Sequence, residues 1–334
     1  LTGGRSFMNE RPKLKDVYGL VETSVPTFPS GSTVLDCALG GGWAQGRVVN
    51  VVGDSATGKT LLAIEACASY HRQYPGRRVR YVEAEAAFDA NYAEAVGFPV
   101  DAVELQTDVR TVEDLAKDLD TFLNRLKEGE GALYVLDSLD GLSDEKELGR
   151  AVGEDSYAMT KAKGLSELFR KMTTVLELKR VTLFIVSQVR DNVGVVYGKK
   201  DKRAGGRALQ FYCSQVVWLN TMGKIERTRS GIKRVVGVKV RAKVDKNRIG
   251  PAFREAEFPL MFGYGVDDAS SMLDWLEEHK GLSADAAKQT ATELSAMDDA
   301  DYFAELGRIA VLVKERWNEV EAMFRPERTK RERP

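Results

Sequence analysis

Gly53-Asp54-Ser55-Ala56-Thr57-Gly58-Lys59-Thr60 lies between the apolar run Val48-Val49-Asn50-Val51-Val52 and the segment Leu61-Leu62-Ala63-Ile64-Glu65-Ala66. A buried strand feeding a glycine-rich turn feeding a helix presents backbone N–H groups and a positive helix end to anionic phosphates. The spacing is that of a phosphate-binding loop, in which the two glycines take turn dihedrals closed to other residues. Lys59 would reach the terminal phosphates and the Thr60 hydroxyl would ligate magnesium. The stretch therefore predicts a nucleoside triphosphate with Mg²⁺, held by residues 53–60 and the start of the helix at Leu61.

Length and composition set the bounds around this loop. The 334 residues, 43% of them hydrophobic, suffice for one large core and a smaller module. A formal charge of -1 gives no global attraction to nucleic acid or membrane, so any polyanion site must come from local clusters of Lys and Arg. Cys37, Cys67 and Cys213 are odd in number and widely spaced, which suits reduced thiols in a cytoplasmic protein better than disulfides or a metal site. No apolar run approaches the length of a membrane span, and no signal-peptide pattern opens the chain. Leu1 to Phe7 read as residues outside the natural chain, with Met8 as the candidate start.

Working outward, residues 1–30 carry Pro12, Pro26 and Pro29 and read as an arm. Val34-Leu35-Asp36-Cys37-Ala38-Leu39 is a short helix stopped by Gly40-Gly41-Gly42. Arg80-Tyr81-Val82, Ala132-Leu133-Tyr134-Val135-Leu136 and Val181-Thr182-Leu183-Phe184-Ile185-Val186 are strands without alternation, as expected when both faces are covered. Residues 111–127 place Val112, Leu115, Leu119, Phe122, Leu123 and Leu126 at helical spacing. Strands alternating with helices predict an α/β fold with a mostly parallel sheet and right-handed crossovers. After residue 214, Gln215-Val216-Val217-Trp218-Leu219 is a further strand, and the period-two run over 236–244 predicts an antiparallel addition with one wetted face. Three units result: the arm, an ATPase-like core over 31–267, and a small helical domain with a basic tail over 268–334.

The strand over 132–136 delivers Asp137 at its carboxyl end, where ligands sit in a parallel sheet, and supplies the second group near magnesium. Glu85 follows the strand over 80–82 and is the candidate for orienting the attacking water, with Glu83 competing for the role. Residues 190–206 hold Lys199, Lys200, Lys202 and Arg203 with Tyr197 among glycines. There cations can meet backbone phosphates and the ring can stack on bases, although a solvated loop or a protein-binding loop has the same composition.

With those segments quoted, the chain resembles the RecA family of DNA strand-exchange ATPases over about residues 28–265. The resemblance implies a RecA-like P-loop core using ATP and Mg²⁺. Val82-Glu83-Ala84-Glu85-Ala86-Ala87-Phe88-Asp89 is similar to the family segment whose second acid activates water, which favours Glu85. By the same resemblance Asp89 and Tyr92 contact adenine. Gln188 senses the terminal phosphate and starts the second DNA loop, which includes Arg190 and closes at Gly205-Gly206-Arg207-Ala208-Leu209-Gln210-Phe211-Tyr212. Lys246 and Arg248 match two basic residues that reach a neighbouring subunit's nucleotide, one of them lysine in bacterial members where arginine stands here. The first loop, over 149–157, precedes a helix on which Lys161, Lys163, Arg170 and Lys171 can face a polyanion.

The family implies filaments on single-stranded DNA that pair with double-stranded DNA, and no membrane partner. The arm is shorter than the bacterial N-terminal helix, the tail is arginine-rich rather than acidic, and the helices after 268 match no signature. Ser69-Tyr70-His71-Arg72-Gln73-Tyr74-Pro75 and the compact start more weakly resemble phage recombinases of the UvsX type. A hexameric helicase on the same core and a nucleotide-gated accessory protein remain alternatives to a recombinase.

Overall fold

The computed structural model describes residues 25–85, 88–143, 158–191, 201–203 and 206–325. Around the phosphate loop, β3 (Val48–Gly53) leads into α2 (Lys59–Gln73), and β3 lies at the centre of a ten-stranded sheet. Along the path from one edge the neighbours are β12 (Gly265–Val266), β11 (Glu255–Met261), β10 (Ile232–Asn247), β9 (Gln215–Arg229), β3, β7 (Val181–Asp191), β6 (Ala132–Asp137), β4 (Val79–Glu83) and β5 (Val103–Gln106). β8 (Asp201–Arg203) pairs with the far end of β7. From β9 to β5 the pairings are parallel, and from β9 to β12 antiparallel.

Helices cover both faces, so the parallel strands need no polar side. α1 (Thr33–Leu39), α2 and α7 (Asp268–Glu278) pack with Val49, Val51, Val135 and Val186 into one cluster; α4 (Val112–Asn124) and α5 (Ala158–Lys179) close the other with Val48, Tyr134 and Ile185. Each fully buried Leu or Phe contributes about 1.5–3 kcal/mol. α1 ends at Gly40 in the left-handed region (φ +81°), as its glycine run predicts. A capping box between Thr111 and Asp114 starts α4, with Leu115, Leu119, Phe122 and Leu123 buried. On β10, buried Val240, Ala242 and Val244 alternate with Arg241 and Lys243, the expected one-sided strand.

The strands after 214 run longer than their apolar cores. β9 and β10 continue past the sheet as an exposed hairpin turning at Ser230 and Gly231, where charged residues carry the backbone pairing without a core. Short β1 (Thr27–Phe28) and β2 (Trp43–Ala44) form a separate pair, and α3 (Ala90–Ala95) and α6 (Gly206–Tyr212) are brief helices. From Asp268 onward α7, α8 (Ala284–Leu294) and α9 (Asp299–Met323) share the first cluster through Met272 and Leu276, Ala287 and Leu294, and Ile309 and Val313. Trp275 stacks on Trp317 with centroids 5.4 Å apart, tying α9 to α7. Cys37, Cys67 and Cys213 are not joined by a disulfide. Among the described residues no helix is long and apolar enough to cross a membrane.

Candidate functional site

The turn that joins β3 to α2 is built to the space its glycines leave. A Cβ on Gly53 would sit 2.5 Å from Thr57 Oγ1 and 3.0 Å from Leu219 O, and Gly58 lies at φ +88°. Ala56 also takes a left-handed conformation, φ +58°. The Thr57 hydroxyl donates to Asp54 O at 2.9 Å, and the Ser55 N–H donates to Asp54 Oδ1 at 2.9 Å. Lys59 is buried and folds back so that Nζ donates to the same Asp54 carbonyl at 2.5 Å. Burial lowers the Lys59 pKa, against the opposing pull of Asp137, Asp54, Glu85 and Asp140.

Asp137 ends β6 and faces this ammonium. Tyr81 Oη donates to Asp137 Oδ2 at 2.6 Å and the Thr60 side chain also hydrogen-bonds the carboxyl group. Burial raises the Asp137 pKa, with the neighbouring Glu85 and Glu83 adding to the rise and the bonds from Tyr81 and Thr60 opposing it. A buried carboxylate crowded by two others favours a further cation. The donor set fits Mg²⁺, which keeps few protein ligands and completes its shell from phosphates and water. Among the described residues there is no group of three or more His, Cys, Asp or Glu arranged as a metal cage.

The two acids after β4 separate by burial. Glu83 is buried and its Oε1 accepts the Glu85 N–H at 2.9 Å, whereas Glu85 is exposed to the cleft. Glu85 Oε1 accepts from Ser138 Oγ and, at 2.9 Å, from Gln188 Nε2. Gln188 pairs with Gly53 across β7 and β3, so the amide stands at the rim of the phosphate loop. Ser138 and Asp140 belong to no motif of their own; their signal in the sequence is a position just after the strand that delivers Asp137.

Other residues named from the sequence lie farther out. Asp89 caps α3, its Oδ1 accepting the Tyr92 N–H at 3.0 Å, and Tyr92 is exposed. Lys246 Nζ donates to Gln210 O at 2.7 Å and Phe211 O at 3.0 Å, while Arg248 Nη2 donates to Phe211 O at 2.9 Å. Both cations thus grip the carboxyl end of α6 within the same chain. Phe211 is 67% exposed beside them, an apolar group at odds with a solvated helix end.

On α5, Lys163 and Arg170 are exposed. Lys161 points inward instead, donating to Leu142 O, and Lys171 pairs with Glu167. Burial of Leu165, Leu168 and Phe169 fixes which face of the helix turns outward. Arg190 pairs with Lys202, and Val189 with Arg203, in the antiparallel stem of β7 and β8; Gly206 and Arg207 open α6. Tyr197, Lys199, Lys200 and Gly205, and the first loop over 149–157, lie outside the described residues.

A family model described as the RecA N-terminal domain matches residues 14–267. Protein RecA of Lactobacillus delbrueckii subsp. bulgaricus is 34% identical over 256 residues, covering 76% of this chain and 74% of the relative. Protein RecA of Salinispora tropica is 37% identical over 268 residues, 80% of this chain and 71% of the relative. Protein RecA of Streptomyces ambofaciens is 34% identical over 256 residues, covering 76% of this chain and 66% of the relative.

Proposed function

The chain belongs to the RecA family, and on that premise we propose that it is an ATP-dependent recombinase that assembles on single-stranded DNA and exchanges strands with a homologous duplex. The observation that carries the reading is convergence. β3, β4, β6 and β7 bring Lys59, Glu85, Asp137 and Gln188 to one sheet edge, and β7 continues from that edge into the stem of the basic segment. The family match fits this reading rather than a ring helicase or an accessory protein.

In the proposed reaction the loop N–H groups and Lys59 bind and orient the phosphates of ATP. Mg²⁺, when bound, neutralises charge on the transferring phosphoryl group, and Thr60 and Asp137 are the residues to hold it. Glu85 orients a water, and Ser138 and Gln188 hold its carboxylate in place. Asp89 and Tyr92 contact the adenine. Lys246 and Arg248 reach the nucleotide of an adjacent subunit, so turnover depends on a helical, non-closing assembly. Exposed Phe211 supports an interface at this place. Lys163, Arg170 and the segment from Arg190 to Arg207 contact DNA phosphates, with Tyr197 against the bases. The protein works in the cytoplasm, and the arm, core and helical region act as three units.

Electron microscopy of the protein with single-stranded DNA and a non-hydrolysable ATP analogue, paired with a strand-exchange assay, tests the proposal. Helical filaments and joint molecules are expected. Closed rings that unwind a fork, or discrete particles with no joint molecules, would overturn it.

A further inference from the structure

Asp140 lies in the tight turn Leu139–Gly141 that follows β6, and its Oδ2 accepts the backbone N–H of Gln188 at 2.7 Å. On the β6 side of β7 this bond falls where the ladder stops supplying partners, while on the other side β3 stays paired as far as Gly53 and Gln188. The pairing of β6 with β7 ends at Leu136 and Ile185, three residues before Gln188, and β8 pairs with β7 from Val189 onward. A side-chain carboxylate therefore anchors the backbone at the junction between the parallel sheet and the stem of the basic segment. A charge-assisted bond of this kind is roughly twice as strong as a neutral one.

The same short turn also holds Glu85. Ser138 donates to its carboxylate, and a Cβ on Gly141 would lie 2.9 Å from Ala84 O and 3.0 Å from Glu85 Cγ. Gln188 is thus gripped twice, at its backbone by Asp140 and at its side chain by Glu85. Only the second grip is open to exchange, because a terminal phosphate on Lys59 offers the amide a rival acceptor while leaving the backbone N–H where it is.

We propose that Asp140 is a positioning residue for nucleotide–DNA coupling: it pins the backbone of Gln188, so that a change of side-chain partner from Glu85 to phosphate is passed along β7 into the stem Val189–Asp191 and Asp201–Arg203. The inference rests on the proposed function. Without the pin, only the β3 side holds the backbone at Gln188, and the rearrangement is absorbed there instead of reaching the stem.

The test compares wild type with Asp140→Ala, which removes the acceptor, and Asp140→Asn, whose Oδ1 can still accept the N–H. Hydrogen exchange of peptides spanning 185–191 and 201–203 is followed with and without a Mg²⁺-loaded non-hydrolysable ATP analogue, alongside analogue affinity and DNA stimulation of turnover. The expected result is a nucleotide-induced exchange change in wild type and Asp140→Asn. In Asp140→Ala that change is lost and DNA stimulation falls at least tenfold, while analogue affinity moves less than threefold. A wild-type exchange response in Asp140→Ala overturns the inference, as does an Asn variant no better than the Ala variant, or a wild type with no response at all. Should wild type bind the analogue and respond in exchange yet exchange no strands, the recombinase proposal fails while the exchange arm still decides the role of Asp140.

Discussion

Gln188 Nε2 donates to Glu85 Oε1 at 2.9 Å across 103 residues of sequence, and the acceptor is the acid that stands open to the cleft while Glu83 is buried behind it. A group that orients water must be reachable by water and held at a fixed angle, and this pair meets both needs. Glu85→Gln keeps the shape and loses the basic oxygen. ATP and DNA binding should stay within about threefold of wild type while turnover falls about 10²–10⁴-fold. Single-turnover hydrolysis with a matched binding titration checks this, and undiminished hydrolysis would transfer the role to another acid.

Asp36 carries a pH signature. Burial pushes its carboxyl up to about 7, against bonds from Ser30, whose N–H donates to Oδ1 at 2.7 Å; Asp268 adds to the rise and Lys314 opposes it. The folded chain keeps this proton to about pH 7, whereas the unfolded chain releases it near 4, so between those values the native state binds more protons. Stability from this group is therefore greatest at low pH and is lost as pH rises from about 4 to about 7. Asp36→Asn, with an oxygen still able to accept from Ser30, should gain roughly 3 kcal/mol on wild type at pH 7.5 relative to pH 4.5. Parallel difference curves from thermal melts would refute this by staying flat.

Much of this architecture was readable because the decisive signals are local. The phosphate loop announces its own strand and helix, and the apolar runs over 132–136 and 181–186 are continuous because both sheet faces are covered. β5 was not legible: of Val103, Glu104, Leu105 and Gln106 none is fully buried, so an edge strand leaves little hydrophobic pattern. The extension of β9 and β10 past the sheet was hidden for a similar reason, since Arg227, Arg229, Lys233 and Arg234 are held by pairing rather than burial. At the site, strand ends pointed to Asp137 and Glu85. The inward turn of Lys161 depends on a carbonyl of Leu142 that is adjacent only in the fold.

Arg80 closes a charge network beneath the sheet edge. Its Nη1 donates to Asp118 Oδ1 at 2.6 Å and its Nη2 to Glu104 Oε2 at 2.7 Å, and Tyr134 Oη donates to Asp118 Oδ2 at 2.7 Å. With only 8% of Arg80 exposed, Arg80→Ala takes the guanidinium away from Asp118, while Glu104 keeps its pair with Arg78, and should cost about 3 kcal/mol. Arg80→Met with Asp118→Leu should recover part of that loss. Urea midpoints decide it, and a loss under about 0.5 kcal/mol would show the network to be dispensable.

Lys163 and Arg170 face outward on α5, whereas Lys161 does not. If the outward face meets DNA phosphates, each Ala substitution at Lys163 or Arg170 should weaken binding alike for all sequences and reduce the salt slope by about 1. Lys161→Ala should leave the slope unchanged. Fluorescence anisotropy across a salt series checks both, and equal slopes for all three variants would remove this face from the site.

Lys246 and Arg248 satisfy the carboxyl end of α6, where cations are favoured by the helix dipole. On the proposed reading, reaching an adjacent nucleotide requires them to leave those carbonyls, so any contribution to turnover should appear only on assembly. Lys246→Ala should bind ATP as monomer within about twofold of wild type and lose about 10³-fold in DNA-dependent turnover. Arg248→Lys, which keeps the charge, should retain more activity than Arg248→Ala. The sharper test mixes Lys246→Ala, whose pocket is intact, with Lys59→Ala, whose pocket is broken but whose Lys246 is present. On the proposed reading neither variant should hydrolyse efficiently alone, yet a Lys59→Ala subunit should lend its cation to a Lys246→Ala pocket, so the mixture should exceed the sum of the separate rates. A mixture no faster than that sum would mean that each subunit completes its own site.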